Sequence, residues 1–275
     1  MTSPELLVDV ADHLATVTLN RPERLNAITP ALSDALRHTM AELGRDDAVR
    51  VIIVTGAGRG FCAGADMALL QNLTQGAPLP KTMGSDTVDA VAGRELQQRY
   101  NFLSAVPKPV IACINGAAAG IGFVLALFAD IRFAAEDATL TTGFAKRGLI
   151  AEHGSAFGLA RLVGPGHAAD LLLSARKVSG REAERIGLVN RALPADELMP
   201  FTRRYALELA QSCSPRSLRV IKQQIAALPL QTMAQAFAEG DRLMLESLTS
   251  QDFKEGVAHF VEKRPANFPD LPKAK

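Results

Sequence analysis

Residues 109–135 read PVIACINGAAAGIGFVLALFADIRFAA, and within them the twenty residues 110–129 carry no charge. By count alone such a run could cross a bilayer, and Gly116-xxx-Gly120 would supply a small-residue packing face. The details point elsewhere. Asn115-Gly116 interrupts the run, Lys108 stands just before it, and Asp130 and Arg132 follow at once. The pattern predicts a buried strand over 110–114, a sharp turn at Asn115-Gly116, and a glycine-dotted buried helix ending near Asp130. A strand that delivers backbone N–H groups to the mouth of a helix can hold an anion, including one that exists only during a reaction.

Working outward, residues 51–55 form a β-branched run of the kind buried in sheets covered on both faces. It leads into GAGRGFCAGADM, residues 56–67, a glycine-rich turn ahead of a new helix. Its glycines at 56, 58 and 60 do not make GxGxxG, the sixth position being Phe61, which argues against a dinucleotide loop. Upstream, 6–10 and 14–19 alternate around Ala11-Asp12-His13 as a β-hairpin. Thr29-Pro30 supplies an N-cap and a first-turn proline for a helix expected to stop at Gly44. Residues 71–91, broken by Pro78, Pro80 and Gly84, read as a loop or lid, with a helix expected over 93–103. Downstream, 131–134, 139–141 and 188–190 read as short strands, and Gly148 to Gly154 as a glycine-bounded turn. From Ser155 helical spacing dominates, with segments near 200–212, 214–227, 231–248 and 252–262. Strand–helix units thus recur ahead of a helical end, the pattern of an α/β core.

The whole composition narrows the class. With 275 residues, 48% hydrophobic, the chain can bury a sizeable core. Thirty Lys and Arg against 29 Asp and Glu leave no basic surface for nucleic acid. Cys62, Cys113 and Cys213 are odd in number and lack metal-ligand spacing, so no zinc site and no disulfide framework is expected. The N-terminus lacks the charge and apolar run of a signal peptide, and a cytoplasmic chain with no membrane span is expected.

In order, LNRPERLNAIT (19–29), GRGFCAGADM (58–67), residues 108–138, GLVNRALPADEL (187–198) and FKEGVAHFVEKR (253–264) resemble the crotonase, or enoyl-CoA hydratase/isomerase, superfamily over nearly the whole chain. The resemblance implies an α/β spiral of repeated ββα turns, assigned to residues 1–200, and a C-terminal α-helical trimerisation region, 201–275. It further implies a homotrimer or dimer of trimers, a coenzyme A thioester as substrate, and no bound prosthetic group.

The resemblance also assigns residues. Two backbone N–H groups would hold the thioester oxygen while enolate charge develops, and by motif position they belong to Ala65 and Ile121. The family usually has glycine where this chain has Ile121. Gly120 and Gly122 could alternatively serve tight helix packing. Family hydratases carry two glutamates, at positions that here are Val124 and Phe144, so the two-glutamate mechanism does not carry over. The remaining carboxylate is Glu152 in KRGLIAEHG, which matches the acidic residue of the family's dienoyl-CoA isomerases and, in a similar turn, its aryl-CoA dehalogenases. One carboxylate suffices to move a proton between two carbons, or to act as nucleophile. A surface ion pair to Lys146 or Arg147 is the plain alternative for it. His153 is expected to diverge from Glu152, and Asp66 to start a helix rather than act as base. The backbone around Arg24, Leu25 and Ala27, with Ala63 and Ala65, resembles the family's coenzyme A contacts. Phe260 and Lys263 match an aromatic and a cation that reach the nucleotide, often from a neighbouring subunit. The alternatives are a non-catalytic acyl-CoA-binding protein and a dehalogenase- or hydrolase-like single-carboxylate reaction.

Overall fold

The computed structural model describes residues 4–76 and 100–271. Most of the expected 71–91 loop and the first part of the 93–103 helix lie outside the described residues.

The hairpin forms as its alternation requires: β1 (Leu6–Ala11) and β2 (Leu14–Leu19) pair antiparallel, with Asp12 and His13 at positive φ in the turn. Helix α1 (Pro30–Arg45) is capped by the Thr29 side chain, which accepts from the Leu32 N–H. It buries Leu32, Leu36, Met40 and Leu43 at helical spacing. Gly44 does not stop it. A Cβ there would lie 3.2 Å from Pro107 Cδ, so this glycine makes room for the strand approach to residue 109. The helix end is capped instead by Lys108, whose buried Nζ donates to the carbonyls of Leu43 and Asp46.

The opening stretch then resolves into short pieces. Strand β3 (Val51–Gly56) is followed by β4 (Gly60–Cys62) and α2 (Met67–Thr74). Next come β5 (Val110–Ile114), β6 (Ala117–Ala119) and α3 (Ile121–Leu127). A third unit starts with β7 (Ile131–Ala135) and β8 (Thr139–Thr141). It continues through α4 (Ser155–Ser174), β9 (Val178–Ser179), α5 (Gly180–Arg185) and β10 (Arg191–Leu193). In each repeat the first strand joins a six-stranded sheet, β1-β2-β3-β5-β7-β10, and the second joins a four-stranded one, β4-β6-β8-β9. The steps β3 to β5 to β7 and β4 to β6 to β8 are all parallel, which makes the chain a spiral of ββα turns.

Two asparagines hold the corners of the spiral. Asn115 Nδ2 donates to the carbonyls of Gly56 and Gly58, and its Oδ1 accepts from the Gly56 N–H. Asn26, fully buried, donates to the carbonyls of Ala57 and Gly60. The charges flanking the apolar run are structural. Asp130 accepts from the Val110 N–H at 2.7 Å. Arg132 donates to the carbonyls of Leu127, Ala129 and Leu188, closing the end of α3, where Asp130 had been the expected end. No helix among the described residues is long and apolar enough to cross a membrane.

The strand expected over 188–190 sits three residues later. The Leu188 and Val189 N–H groups both donate to the Ala183 carbonyl to finish α5; the Asn190 N–H then donates to the Arg132 carbonyl of β7 at 2.8 Å, and the paired strand runs from Arg191. Helix α6 (Ala195–Ser212) lays Leu198, Thr202, Ala206 and Ala210 on the sheet, the alanines permitting close approach. The residue-200 division falls within this helix. Beyond it come α7 (Pro215–Ala227), α8 (Met233–Leu248) and α9 (Gln251–Glu262). From α7, buried Lys222 reaches Asp130 at 2.7 Å and the carbonyls of Leu103 and Lys108 at 2.9 Å, tying the helical end to the opening stretch.

Candidate active site

The three parallel strands β4, β6 and β8 all end on one cavity of about 940 Å³, in keeping with the tendency of parallel sheets to place ligands at their carboxyl ends. After β4 come Ala63 to Asp66, after β6 Gly120 and Ile121, and after β8 Thr142 to Phe144. Opposite them stand Leu149, Glu152 and His153 from the turn before α4.

The backbone of the first two loops is arranged to leave donors unengaged. Ile28 and Ala65 form a parallel bridge in which the Ile28 N–H donates to Gly64 O at 2.7 Å and the Asp66 N–H to Ile28 O at 3.0 Å. Such a bridge uses the groups on either side of Ala65, so its own N–H points away from residue 28. Ile121 is the first residue of α3, one of the helix positions without an intrahelical acceptor. Among the described residues neither the Ala65 nor the Ile121 N–H donates to a protein acceptor.

The two loops touch through glycines. Gly64 has φ +99°, and a Cβ on it would lie 2.8 Å from the Ala119 carbonyl oxygen and 3.6 Å from the Ile121 nitrogen. Gly120, at φ 52° and ψ −117°, takes a backbone that only glycine adopts readily. Gly122 serves packing: a Cβ there would be 2.0 Å from the Cys62 carbonyl oxygen. The packing role therefore falls to Gly122 and the turn to Gly120.

Among the described residues, Asp66 and Glu152 are the carboxylates lining the cavity. Asp66 is the helix-starting residue expected. One oxygen accepts from the Ala68 N–H and the other from Arg21 Nη1 at 2.9 Å, and this Arg21 hydrogen bond holds the carboxyl below its usual range. Arg21 also pairs with Glu5 at 3.0 Å and donates to the Ala27 carbonyl. A carboxyl whose folded value is depressed contributes stability above its ordinary range and loses it as pH falls through the folded value. Arg21→Met is expected to cost about 2 kcal/mol at neutral pH, a deficit that shrinks below about pH 4 as Asp66 protonates. Urea unfolding at several pH values checks this.

Glu152, about one third exposed, lies 3.4 Å from His153 Nε2. His153 was expected to diverge, and it does not. Its backbone is left-handed at φ 55°, so successive side chains are rotated by a helical rather than an extended step, and both line the cavity. Its ring packs edge-on against buried Tyr100 at 4.7 Å. Val124 is buried in α3 away from the cavity, whereas Phe144 lines it. Cys62 lies just before the loop, but burial pushes its thiol up to about 12, leaving an inert side chain.

The cavity brings together Arg24, Ala27, Ala63, Ala65, Ile121 and Glu152. Leu25 stands behind its wall, where its carbonyl accepts from the Ala63 N–H at 2.9 Å. Phe260 and Lys263 do not line it; Phe260 is 79% exposed, and Lys263 caps α9 in a left-handed conformation. Sequence reasoning missed Arg21 and Tyr100 as wall residues, and reached Phe144 only as the position of an absent glutamate. For Arg21 the signal was available, in the LNRP run beside the expected contacts. Among the described residues no group of three His, Cys, Asp or Glu could hold a metal ion.

Comparison with known proteins adds a consistent set of relatives. The family model described as enoyl-CoA hydratase/isomerase matches residues 9–271. The 1,2-epoxyphenylacetyl-CoA isomerase of Escherichia coli K12 is 34% identical over 268 residues, spanning 96% of this chain and 97% of that protein. The solved enoyl-CoA hydratase EchA1 of Mycobacterium marinum has a TM-score of 0.84 at 29% identity, covering 98% of this chain and all of that one. For the Bacillus anthracis enoyl-CoA hydratase the values are 0.81 and 28%, over 96% and 99% of the two chains.

Proposed function

The chain belongs to the enoyl-CoA hydratase/isomerase (crotonase) family, and from that premise we propose that it moves a double bond within an acyl-coenzyme A thioester. The observation that carries this reading is the convergence on one cavity of Glu152 with the Ala65 and Ile121 N–H groups, neither of which donates to an acceptor among the described residues. In the reaction, the Glu152 carboxylate takes an α-proton from a β,γ-enoyl thioester. The electron pair passes into the thioester carbonyl, and the resulting dienolate oxygen is held by the two N–H groups. Glu152 then returns the proton at the γ-carbon, giving the α,β-enoyl thioester with atoms and charge balanced. One preorganised donor contributes about 3 kcal/mol to such a charge in a dry site.

Isomerisation is favoured over hydration by the cavity wall. Adding water calls for groups that activate it and protonate carbon, and apolar Phe144 and buried Val124 occupy the positions where family hydratases resemble one another in carrying glutamates. A 34% identical relative is by name a 1,2-epoxyphenylacetyl-CoA isomerase, while a 35% identical relative is by name a probable enoyl-CoA hydratase. Arg24 and Arg147 at the cavity suit the phosphates of coenzyme A.

The coenzyme is expected to be completed by Phe260 and Lys263 of a neighbouring subunit. Helices α8 and α9 bury no side chain within the single chain, and they expose Met233, Phe237, Met244, Phe260 and Val261. An apolar face of that extent suits an interface, here a homotrimer or dimer of trimers. Buried reduced Cys62 and Cys113 suit the cytoplasm.

The test is a panel of α,β-enoyl, β,γ-enoyl, dienoyl and arylacetyl thioesters of coenzyme A, with products identified by mass and NMR. Double-bond movement without gain of water is expected. Predominant hydration would overturn the isomerase reading, and binding of every thioester without turnover would establish a binding protein instead.

A further inference from the structure

We propose that His153 is a positioning residue for Glu152: its Nε2–H holds the carboxylate at the angle from which it reaches the carbon proton. The inference rests on the reading of Glu152 as proton carrier and extends it.

Three independent observations converge on the ring. First, Nε2 lies 3.4 Å from Glu152 Oε2, a separation that one side-chain adjustment brings into hydrogen-bond range when substrate excludes water. Second, the ring is itself fixed. It stands edge-on to Tyr100, at 79° and 4.7 Å between centroids, and is only 15% exposed. Tyr100 is in turn 4% exposed, so the imidazole leans on core rather than on a loop. Third, the backbone is specialised for the arrangement. His153 and Gly154 are successive left-handed residues, at φ 55° and 72°, and the Ser155 N–H closes the turn onto the Glu152 carbonyl at 2.9 Å. A non-glycine residue in that conformation is held there by its surroundings. Here the turn aims two adjacent side chains into one cavity.

The physical need is clear. Glu152 is a long side chain on a turn, one third exposed, and a side chain of that length has several staggered rotamers open to it. Proton transfer to and from carbon requires a single approach line. A donor at one carboxylate oxygen narrows that line while the carboxylate carries the proton.

The test uses His153→Gly, which suits the left-handed backbone, and His153→Gln, which keeps an N–H donor at comparable reach. Each is compared with Glu152→Gln and with the His153→Gly/Glu152→Gln double variant, on the thioester turned over fastest in the panel. For His153→Gly we expect kcat to fall about tenfold or more with KM within about twofold, partial recovery on adding imidazole, and an unchanged melting temperature. His153→Gln is expected to retain most of kcat, and the double variant to be no slower than Glu152→Gln. An undiminished kcat in His153→Gly overturns the inference, as do multiplicative losses in the double variant, which would show that His153 acts apart from Glu152. Full activity of Glu152→Gln would overturn the underlying reading, and is seen separately.

Discussion

Replacing Glu152 by glutamine is expected to lower kcat about a thousandfold while leaving the Kd for acyl-coenzyme A within about threefold. The substitution keeps size and polarity and removes only the capacity to take a proton. Among the described residues no second cavity-lining carboxylate stands ready to substitute. Asp66, the other carboxylate lining the cavity among the described residues, is engaged by Arg21 and by the Ala68 N–H, and its lowered proton affinity makes it a weak base. Phe144 offers nothing to a proton. Binding is expected to survive because the proposed coenzyme contacts, backbone and cations, lie apart from residue 152. Steady-state turnover and calorimetric titration with the same thioester check both halves. Retained turnover would remove Glu152 from the mechanism, and lost binding would make its role structural.

The second large effect is expected at Gly64. Gly64→Ala should reduce kcat/KM about a hundredfold and also lower stability. Its φ of +99° disfavours any side chain, and the new Cβ would lie 2.8 Å from the Ala119 carbonyl oxygen. That obstacle is backbone, so the loop after β4 or the loop after β6 must shift. Either movement changes the separation of the Ala65 and Ile121 N–H groups, and a displacement near 1 Å at a reacting centre costs on the order of a hundredfold. Gly240→Ala is the control: it lies in helix α8 with nothing within 4 Å of its Cβ, and should leave activity unchanged. Comparable loss in both variants would show that the loop contact has no special part in catalysis.

Much of the architecture is legible along the chain because its signals are local. The hairpin alternation, the β-branched runs of β3 and β5, the Thr29-Pro30 helix start and the amphipathic C-terminal helices each announce themselves within a few residues. The flanking Lys108, Asp130 and Arg132 likewise argued against a membrane span before any coordinates. Boundaries slipped where a distant residue decided them. Gly44 continues α1 because Pro107 packs on it and Lys108 supplies the cap, and Leu188 and Val189 finish α5, so that bonding to β7 begins at Asn190.

The sequence by itself determined the family, the parallel spiral, the candidacy of Glu152 and the absence of glutamate at 124 and 144. The second sheet was decided by tertiary structure. Its strands β4 and β6 are three residues each, GFC and AAA, too short to show a period. Layers meet closely there: a Cβ on Gly122 would sit 2.0 Å from the Cys62 carbonyl oxygen. That contact and the parallel pairing of β4 with β6 set the loops after the two strands side by side. The left-handed turn at His153 brings its imidazole up to Glu152, where the ring packs edge-on against buried Tyr100. Residues 109–135 thus specify their own strand and helix, while the chemistry they serve depends on what the spiral folds against them.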